Sequence, residues 1–523
     1  MTTSRPVPTD TAPSSALPVV AGIGGWVVLL VVTAGRIRDE MAATLFRDEA
    51  IAWTYADLPI RDIPEALGWD VNPPVYFMTL HAWLSGGTGD TYLRVLSVLA
   101  ILAAAAVSFD AARRLGGARA GWLASAFVLL APGSLALAGL ARPYAIAFLL
   151  GTIALDAAIA LVRGGRWPAL AVFSVSGALL PLTHYWGGLL LGALLGALAV
   201  TALRTNRRWI LTRTMIATGI VLIVFLPWAP TLAAQLRNQP LAAHQVPDAG
   251  LLGRTLTLSA GGQVTAWVVV IGLTGTLVMA WRRHRAGLPG EPVDPGRLLL
   301  VTTVVLATAV VVLLWGVSQI RPLFTPNYAF VVMAPLGTLV GVYLSKRWWM
   351  VAAVLASLAF VAVPDLTRSA FADPVTEREV RGPEYAVANS LALTTEPGDV
   401  IVTSPGRVLA IRYYLGADRD YVTPIGRVYE GRFDYRDRVE RLRSVDAALV
   451  ADRLAQSPSG TRVAFVHDIG TPFEHPYWLA LDDAMNEIGD ELRASDRLEL
   501  VSTARLPGPH DGIAVEVFVV REP

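Results

Sequence analysis

Cysteine is absent from the 523 residues of this chain, and lysine occurs only once, at Lys346. The first absence excludes disulfide bonds, thiolate metal sites and cysteine nucleophiles, so any domain outside the cytoplasm must fold on packing alone. The second leaves arginine as almost the only basic residue, which indicates a GC-rich bacterial genome. Because the formal net charge is only +1, the basic surface of a nucleic-acid-binding protein is also missing.

Charged residues are scarce too, at 16%, whereas 54% of residues are hydrophobic and the mean hydropathy is +0.50. One soluble core cannot bury so much apolar surface, so we expect an α-helical polytopic membrane protein with about 11 transmembrane helices. They would occupy residues 17–364, after a disordered cytoplasmic leader at residues 1–16. The predicted spans are Leu17–Ala34, Val95–Ala112, Gly121–Ala138, Pro143–Val162, Trp167–Thr183, Gly187–Leu203, Trp209–Trp228, Val264–Trp281, Leu298–Val317, Tyr328–Leu344 and Trp348–Val363.

Basic residues cluster in alternate short connections between these spans, and the positive-inside rule places such connections in the cytoplasm. The N-terminus is then cytoplasmic, and residues 36–94 form a large first loop on the outer face of the cytoplasmic membrane. Everything after Val363 is expected on that outer side. The residues that set this orientation are Arg113, Arg114, Arg119, Arg163, Arg166, Arg204, Arg207, Arg208, Arg282, Arg283, Arg285, Lys346 and Arg347.

Residues 373–523 have the composition of a soluble domain, which we expect to be an extracytoplasmic α/β domain. Its runs of β-branched and aromatic residues predict strands, and helical periodicity fills the segments between them. The predicted strands are Asp399–Thr403, Arg462–His467, Leu498–Ala504 and Ile513–Val520, and the predicted helices are Val408–Leu415, Arg438–Gln456 and Tyr477–Leu492.

The first outer loop concentrates polar residues of catalytic type, namely Asp48, Glu49, Asp70, Asn72 and His81. Adjacent side chains cannot share one direction. We therefore expect at most one of the two neighbouring carboxylates to face a site, while the other pairs with a cation or a backbone donor. A carboxylate at a helix start also has a structural alternative, as a cap or a partner of the helix dipole.

The same topology brings a second polar set to the outer surface, namely Arg142, His184, Tyr185, Arg321 and Tyr328. The arginines could bind a phosphate with forked geometry, and His184 could donate a hydrogen bond to it. The alternative is that each residue is an interfacial anchor. Because all five residues are expected on one face, a binding site is favoured over five separate anchors.

Metal and nucleotide signatures are missing from the sequence. No His-x-x-x-His spacing occurs, and no phosphate loop or dinucleotide glycine pattern follows a strand. We therefore assign no residue to a metal and expect no soluble nucleotide cofactor. A hard divalent cation held by carboxylates and phosphate is left open as an alternative.

Six short motifs follow one another in a definite order within residues 17–363. They are Phe46-Arg-Asp-Glu-Ala, Asp70-Val-Asn-Pro-Pro-Val-Tyr-Phe, Ala141-Arg-Pro-Tyr-Ala, Thr183-His-Tyr-Trp-Gly, Phe225-Leu-Pro-Trp and Pro326-Asn-Tyr. As a set they resemble polytopic glycosyltransferases of the GT-C superfamily, of the protein mannosyltransferase-like (family 39) type. Two positions depart from that pattern: Ala141 stands where Glu is often found, and Asn327 stands where Arg is often found.

The resemblance implies a membrane enzyme that transfers a sugar from a polyprenyl-phosphate donor, with inversion, to a cell-envelope glycan, lipid or protein. It implies a first-loop aspartate as catalytic base, which Asp48 matches, with Glu49 as its neighbouring candidate. The remaining candidates divide into two groups. Those for donor phosphate are Arg142, His184, Tyr185, Arg321 and Tyr328, and those for acceptor binding or loop support are Asp70, Asn72 and His81.

Two other functions fit a polytopic chain. A transporter or flippase of lipid-linked sugars would place ionisable groups near the bilayer midplane, on broken helices in repeated halves. This chain instead keeps its midplanes apolar and gathers polar residues at one surface. A membrane anchor that presents the outer domain as a binding module would leave the first-loop pattern unexplained.

Overall fold

A computed structural model of the protein describes residues 26–27, 30, 33–34, 37, 41, 43–45, 47–165, 167–238, 246–285, 294–361, 382–427, 437–470, 475–508 and 512–522. The predicted leader, most of the predicted span Leu17–Ala34, the residue Arg166 and the predicted domain start at residue 373 lie outside this part of the chain. Within it, a large helical domain is followed by a smaller domain with one six-stranded sheet.

The first loop folds into three short helices: α1 (Arg47–Ala56), α2 (Ile63–Gly68) and α3 (Val75–Leu84). Asp48 and Glu49 lie in the first turn of α1, where the helix dipole favours negative charge. The rings of Tyr55 on α1 and Phe77 on α3 meet edge to face, with centroids 5.8 Å apart. The loop is therefore a packed unit that can hold Asp48 in a fixed place.

The helical domain continues with a series of apolar helices. They are α4 (Asp90–Gly116), α5 (Ala118–Leu130), α6 (Pro132–Ala138), α7 (Tyr144–Val162), α8 (Trp167–Thr183), α9 (Gly187–Arg204), α10 (Arg208–Phe225), α11 (Ala229–Asn238), α12 (Ala249–Ser259), α13 (Gln263–Arg285), α14 (Pro295–Val317), α15 (Phe330–Leu344) and α16 (Trp348–Val361). Each predicted span from Val95 onward falls on one of these helices or on a consecutive pair.

Six helices of the described chain are long and apolar enough to cross a membrane, or eight when each bent pair counts as one span. The helices α8 and α16 are apolar but shorter, with 17 and 14 residues. The expected number of about 11 is reached only when these two and the first predicted span are added.

Two pairs of consecutive helices are bent, and the first corresponds to the predicted span Gly121–Ala138. The α5–α6 pair is bent by 59°, and Ala131 between them is extended because the following Pro132 disfavours helical backbone. The α12–α13 pair is bent by 76° at Gly261 and Gly262, which both have positive φ. The first bend directs the chain after α6 towards the first loop, where Ala141 contacts Glu49.

Ion pairs join helices near the end of α4 opposite the first loop. Asp110 pairs with Arg113 and Arg114, and Arg114 also reaches Asp156, with 3.1 Å between Nε and Oδ1. Since 20 residues of helix separate Asp90 from Asp110, these charges lie about 30 Å from the first loop. They stabilise the far end of the bundle and take no part in the site described below.

The C-terminal domain is a mixed sheet with helices packed on it. Strand order is β3-β2-β1-β4-β6-β5, with β1 parallel to β2 and β4, and with β6 antiparallel to β4 and β5. Its elements are α17 (Pro383–Thr394), β1 (Val400–Thr403), α18 (Val408–Leu415), β2 (Asp420–Thr423), β3 (Gly426–Arg427), α19 (Arg438–Arg443), α20 (Ala447–Ala455), β4 (Arg462–Asp468), α21 (Pro476–Ala494), β5 (Leu498–Leu506) and β6 (Ile513–Val520).

All predicted strands of this domain are present, and the α/β class is confirmed. The single helix predicted over Arg438–Gln456 is wrong, because the Asp446 side chain accepts a hydrogen bond from Leu449 N at 2.9 Å and caps a second helix, α20. The domain packs against the first loop, where the Trp53 and Tyr413 rings meet edge to face at 4.8 Å. Loop and domain therefore lie at the same end of the bundle.

Candidate active site

Asp48 lies in the first turn of α1 with its side chain 38% exposed. The Arg142 guanidinium holds it from one side: Nη1 donates to the Asp48 backbone oxygen at 3.1 Å, and Nη2 lies 3.5 Å from Oδ2. On the other side, Arg47 Nε lies 3.8 Å from Oδ1. Asp48 is thus a positioned carboxylate that solvent or a substrate can still reach.

Glu49 has different partners from Asp48 and is fully buried. Its two oxygens accept from Arg94 Nε and Nη2 at 2.9 and 2.7 Å, and Oε1 also accepts from Ala141 N at 2.7 Å. The geometry agrees with the expectation that one carboxylate of the pair faces a site while its neighbour takes a cation and a backbone donor. A proton-transfer role for Glu49 stays a prediction.

Arg142 lies in the α6–α7 connection, and its side chain is 14% exposed. Because Ala141 N is bonded to Glu49, the backbone on the N-terminal side of Arg142 is fixed to the first loop. Burial alone would lower the pKa of Arg142, but the Asp48 carboxylate and the Tyr144 hydroxyl outweigh it and raise the pKa. Arg142 is therefore a permanent cation next to Asp48.

An aromatic wall stands beside this ion pair. The His184 ring, in the α8–α9 connection, lies 5.1 Å from the Tyr144 ring, 5.5 Å from the Tyr328 ring and 5.6 Å from the Phe330 ring. Tyr328 also packs on Trp186, with centroids 4.9 Å apart. The wall gives the site an apolar side where a charge would be poorly solvated.

The His184 side chain is neutral. Burial and the nearby Arg142 charge lower the pKa of His184 to about 3. Trp186 N donates to Nδ1 at 3.3 Å, so the proton of the neutral ring is assigned to Nε2. His184 can consequently donate one hydrogen bond from Nε2, but it contributes no positive charge near neutral pH.

Tyr185, beside His184, takes part in a different network. Its hydroxyl donates to Gln235 Oε1 and accepts from Trp228 Nε1 at 2.8 Å. Gln235 Nε2 in turn donates to the Leu67 carbonyl at 2.8 Å, which ties α11 to α2. These contacts join the first loop to the helices that follow it. Donor-phosphate binding by Tyr185 stays a prediction.

The remaining first-loop candidates make local contacts. Asp70 is buried and accepts from Val71 N at 2.6 Å, with Asn72 Nδ2 3.5 Å from its other oxygen, and burial raises the pKa of Asp70. His81 Nδ1 lies 2.8 Å from the Ala56 carbonyl and joins α3 to α1. Their assignment to acceptor binding or loop support is untested.

Arg321 has no side-chain contact with Asp48, Arg142 or His184 in the described part of the chain. It is exposed, and its side chain forms no hydrogen bond or ion pair with any described residue. Its predicted role in phosphate binding rests on topology alone. No group of three or more His, Asp or Glu side chains able to hold a metal ion occurs in the described part of the chain.

Sequence reasoning missed two residues of the site. Arg94 is fully buried, and the available signal was its position at the outer end of an apolar run, against the positive-inside rule. Tyr76 is 1% exposed, and its hydroxyl finds no partner among the described residues although it lies within electrostatic reach of Arg142 and Glu49. An unpaired buried hydroxyl is costly, so it marks a place where a ligand group could bind.

Several solved structures are similar to this chain. Crystal structures of ArnT from Cupriavidus metallidurans, with bound undecaprenyl phosphate and in the apo state, match with TM-scores of 0.60 and 0.58 and identities of 15% and 17%. The matches cover 97% and 96% of this chain, and 98% of each ArnT chain. The Archaeoglobus fulgidus oligosaccharyltransferase complex with Zn and sulfate matches at a TM-score of 0.45 and 13% identity, over 84% of this chain and 67% of that chain.

No protein-family model matches the chain, and no curated protein does. The full-length likeness to ArnT nevertheless covers both the helical domain and the C-terminal α/β domain. The fold expected from the motifs is thereby confirmed. The chain has a GT-C fold, with a polytopic helical domain followed by a smaller α/β domain.

Proposed function

We propose that this protein is a membrane glycosyltransferase that moves a sugar from a polyprenyl-phosphate donor to a cell-envelope glycan, lipid or protein. Transfer takes place at the outer face of the cytoplasmic membrane and inverts the anomeric centre. The observation that carries the proposal is the pairing of an accessible Asp48 carboxylate with the buried cation Arg142 beside an apolar wall.

Asp48 is the general base in this proposal. An acceptor hydroxyl is a very weak acid and attacks poorly unless its proton leaves as the new bond forms. The carboxylate is accessible, and α1 and Arg142 fix its position, as a base that must meet an incoming hydroxyl requires. The proton passes to Asp48 Oδ while the acceptor oxygen bonds to the anomeric carbon, so no covalent enzyme intermediate is needed.

Arg142 and His184 stabilise the leaving group. As the bond between anomeric carbon and phosphate oxygen breaks, negative charge grows on the phosphate, and preorganised donors in a poorly solvated site stabilise it strongly. Arg142 offers a guanidinium that is charged at every working pH, and His184 offers the Nε2 proton of a neutral ring. Tyr328 lines the same wall and would contact the donor.

A lipid-linked donor suits the surroundings of this site. The apolar helices provide a bilayer-embedded surface for a polyprenyl chain, and the polar residues lie at the end of the bundle near the first loop. ArnT, which has the same fold, has been crystallised with undecaprenyl phosphate. This supports a donor of the same chemical class.

The deciding experiment replaces Asp48 with asparagine, which keeps size and hydrogen bonding but removes the basic lone pair. Transfer of labelled sugar from membrane-extracted polyprenyl-phosphate sugars to a cell-envelope fraction should fall by about two to four orders of magnitude. Glu49→Gln, made in parallel at equal protein amounts, should lose less because Glu49 only supports the loop. Wild-type turnover by Asp48→Asn would remove Asp48 as the base, and a larger loss in Glu49→Gln would move that role to Glu49.

A further inference from the structure

The C-terminal domain touches the first loop through two adjacent tyrosines. Tyr413 and Tyr414, near the end of α18, both donate from their hydroxyls to the Asp90 carboxylate, one to each oxygen, at 2.9 Å. Asp90 is the first residue of α4. Hydrogen bonds to a carboxylate are among the strong ones, so this contact joins the C-terminal domain firmly to the start of a membrane helix.

The same tyrosines also contact the chain on both sides of Asp48. The Tyr414 hydroxyl accepts from Leu45 N, three residues before Asp48. The Tyr413 ring packs on Trp53, five residues after it. The backbone that carries Asp48 is thus fixed at both ends by one short segment of the C-terminal domain.

Arg94, on α4, donates further hydrogen bonds to the same part of the first loop. It lies one helical turn after Asp90 on α4 and donates to the carbonyls of Ala43 and Thr44 as well as to Glu49. Three backbone polar groups in residues 43–45 are therefore satisfied jointly: Arg94 donates to the carbonyls of Ala43 and Thr44, and the Tyr414 hydroxyl accepts from the amide of Leu45. Removing the tyrosine hydroxyls would leave the amide of Leu45 without its hydrogen-bond acceptor.

We propose that the C-terminal domain is a positioning element for the proposed transfer, in which Tyr413 and Tyr414 hold the Asp48 helix in its reactive place through Asp90, Leu45 and Trp53. The predicted loss of turnover rests on the function proposed above. The predicted loosening of the first loop does not depend on that function. Burial and the Asp90 charge raise the pKa of both tyrosines, so they remain protonated donors under all working conditions.

A domain that only bound the acceptor would behave differently. Loss of an acceptor contact changes the KM for acceptor, whereas loss of a contact that places the base lowers kcat. The two tyrosines sit on Asp90 and Leu45, so their removal should act on kcat.

The test uses the double variant Tyr413→Phe/Tyr414→Phe in the full-length protein in lipid nanodiscs. The first measurement is hydrogen exchange of the backbone amides of residues 43–56, which needs no substrate. The second is sugar transfer from membrane-extracted polyprenyl-phosphate sugars to a cell-envelope fraction. We expect amide protection in this segment to fall at least tenfold and kcat to fall at least tenfold, with the donor KM changed by less than twofold.

Two matched controls remove a tyrosine hydroxyl from the same domain. Tyr385→Phe alters a ring that packs on Tyr414 at 5.1 Å but is 43% exposed. Tyr421→Phe removes a buried hydroxyl that donates to the Gly416 carbonyl inside the domain. Both should leave exchange of residues 43–56 and kcat at wild-type values, which separates positioning from general loss of domain stability.

The outcomes are distinct. Unchanged exchange of residues 43–56 in the double variant would overturn the proposal, and so would faster exchange with kcat intact and only the acceptor KM raised. If the wild-type protein transfers no sugar at all, the function proposed above fails, and the exchange measurement still decides whether the tyrosines hold the loop.

Discussion

The buried pair of Glu49 and Arg94 allows a quantitative test of how the first loop is held. The Glu49 carboxylate accepts three hydrogen bonds, two from Arg94 and one from Ala141 N, and both charged side chains are fully buried. Glutamine at position 49 has the same size but replaces one accepting oxygen with an NH₂ group. That group would face an Arg94 N–H, and the guanidinium charge would lose its counterion.

Breaking a buried ion pair in this way costs about 3–5 kcal/mol, because one desolvated charge is left uncompensated. We therefore expect Glu49→Gln and Arg94→Met each to lower the apparent unfolding temperature of the protein in detergent micelles by several degrees. The double variant Glu49→Gln/Arg94→Met should lose clearly less than the sum of the two single losses, since no buried charge remains and the Gln oxygen can still accept from Ala141 N. Full recovery is not expected, because the carbonyls of Ala43 and Thr44 lose their Arg94 donor.

A surface pair in the same loop serves as the control for this cycle. Arg61 Nε lies 3.4 Å from Asp62 Oδ1, but the Arg61 side chain is 86% exposed, and such pairs contribute at most about 1 kcal/mol. Asp62→Asn should therefore shift the unfolding temperature very little. Equal shifts for Asp62→Asn and Glu49→Gln would refute the reasoning, and so would a double variant whose loss equals the sum of the single losses.

Other predictions concern the donor site, acid stability and orientation. Arg142→Ala should weaken binding of undecaprenyl phosphate about tenfold or more, whereas the exposed Arg321 should tolerate alanine within about twofold; equal affinities in a lipid-binding assay would contradict this ranking. Because burial lowers the pKa of His184 from 6.5 to about 3, the unfolded chain binds a proton below pH 6.5 that the folded protein excludes. Stability is thus present above pH 6.5 and lost as the pH falls towards 3, and thermal unfolding of His184→Gln should show a smaller acid loss than wild type; parallel curves would contradict it. Reporter fusions at Asp373 and Arg283 should behave as extracytoplasmic and cytoplasmic respectively, and identical behaviour would contradict the orientation.

Apolar runs predicted the helices of the first domain well, because hydropathy is a local signal. The bend at Pro132 was missed since the apolar run continues through it, and hydropathy alone cannot distinguish a straight span from a bent pair. The extra helix at Asp446 was missed for a similar reason, because one capping side chain divides an otherwise continuous helical pattern.

The site was predictable only as a set of residue types on one face. Motif order and topology selected Asp48, Arg142 and His184, and the structure places these three at one end of the bundle. Their supporting partners had no local signal: Arg94 is 45 residues from Glu49, and Asp90 is 323 residues from Tyr413. Contacts of such separation depend on the final packing of the chain.

The long separations around Glu49 and Asp90 also set the order in which the protein can mature. During synthesis Glu49 emerges before Arg94, Ala141 follows after two further helices, and Tyr413 appears only when most of the chain has been made. Glu49 can therefore make its contacts before the C-terminal domain exists, whereas Asp90 acquires its tyrosine partners only at the end of synthesis. A fragment that ends before the C-terminal domain would therefore lack the partners that Tyr413 and Tyr414 give to Asp90 and Leu45. If that domain positions the first loop as proposed, completion of the loop waits until the last part of the chain has folded and docked.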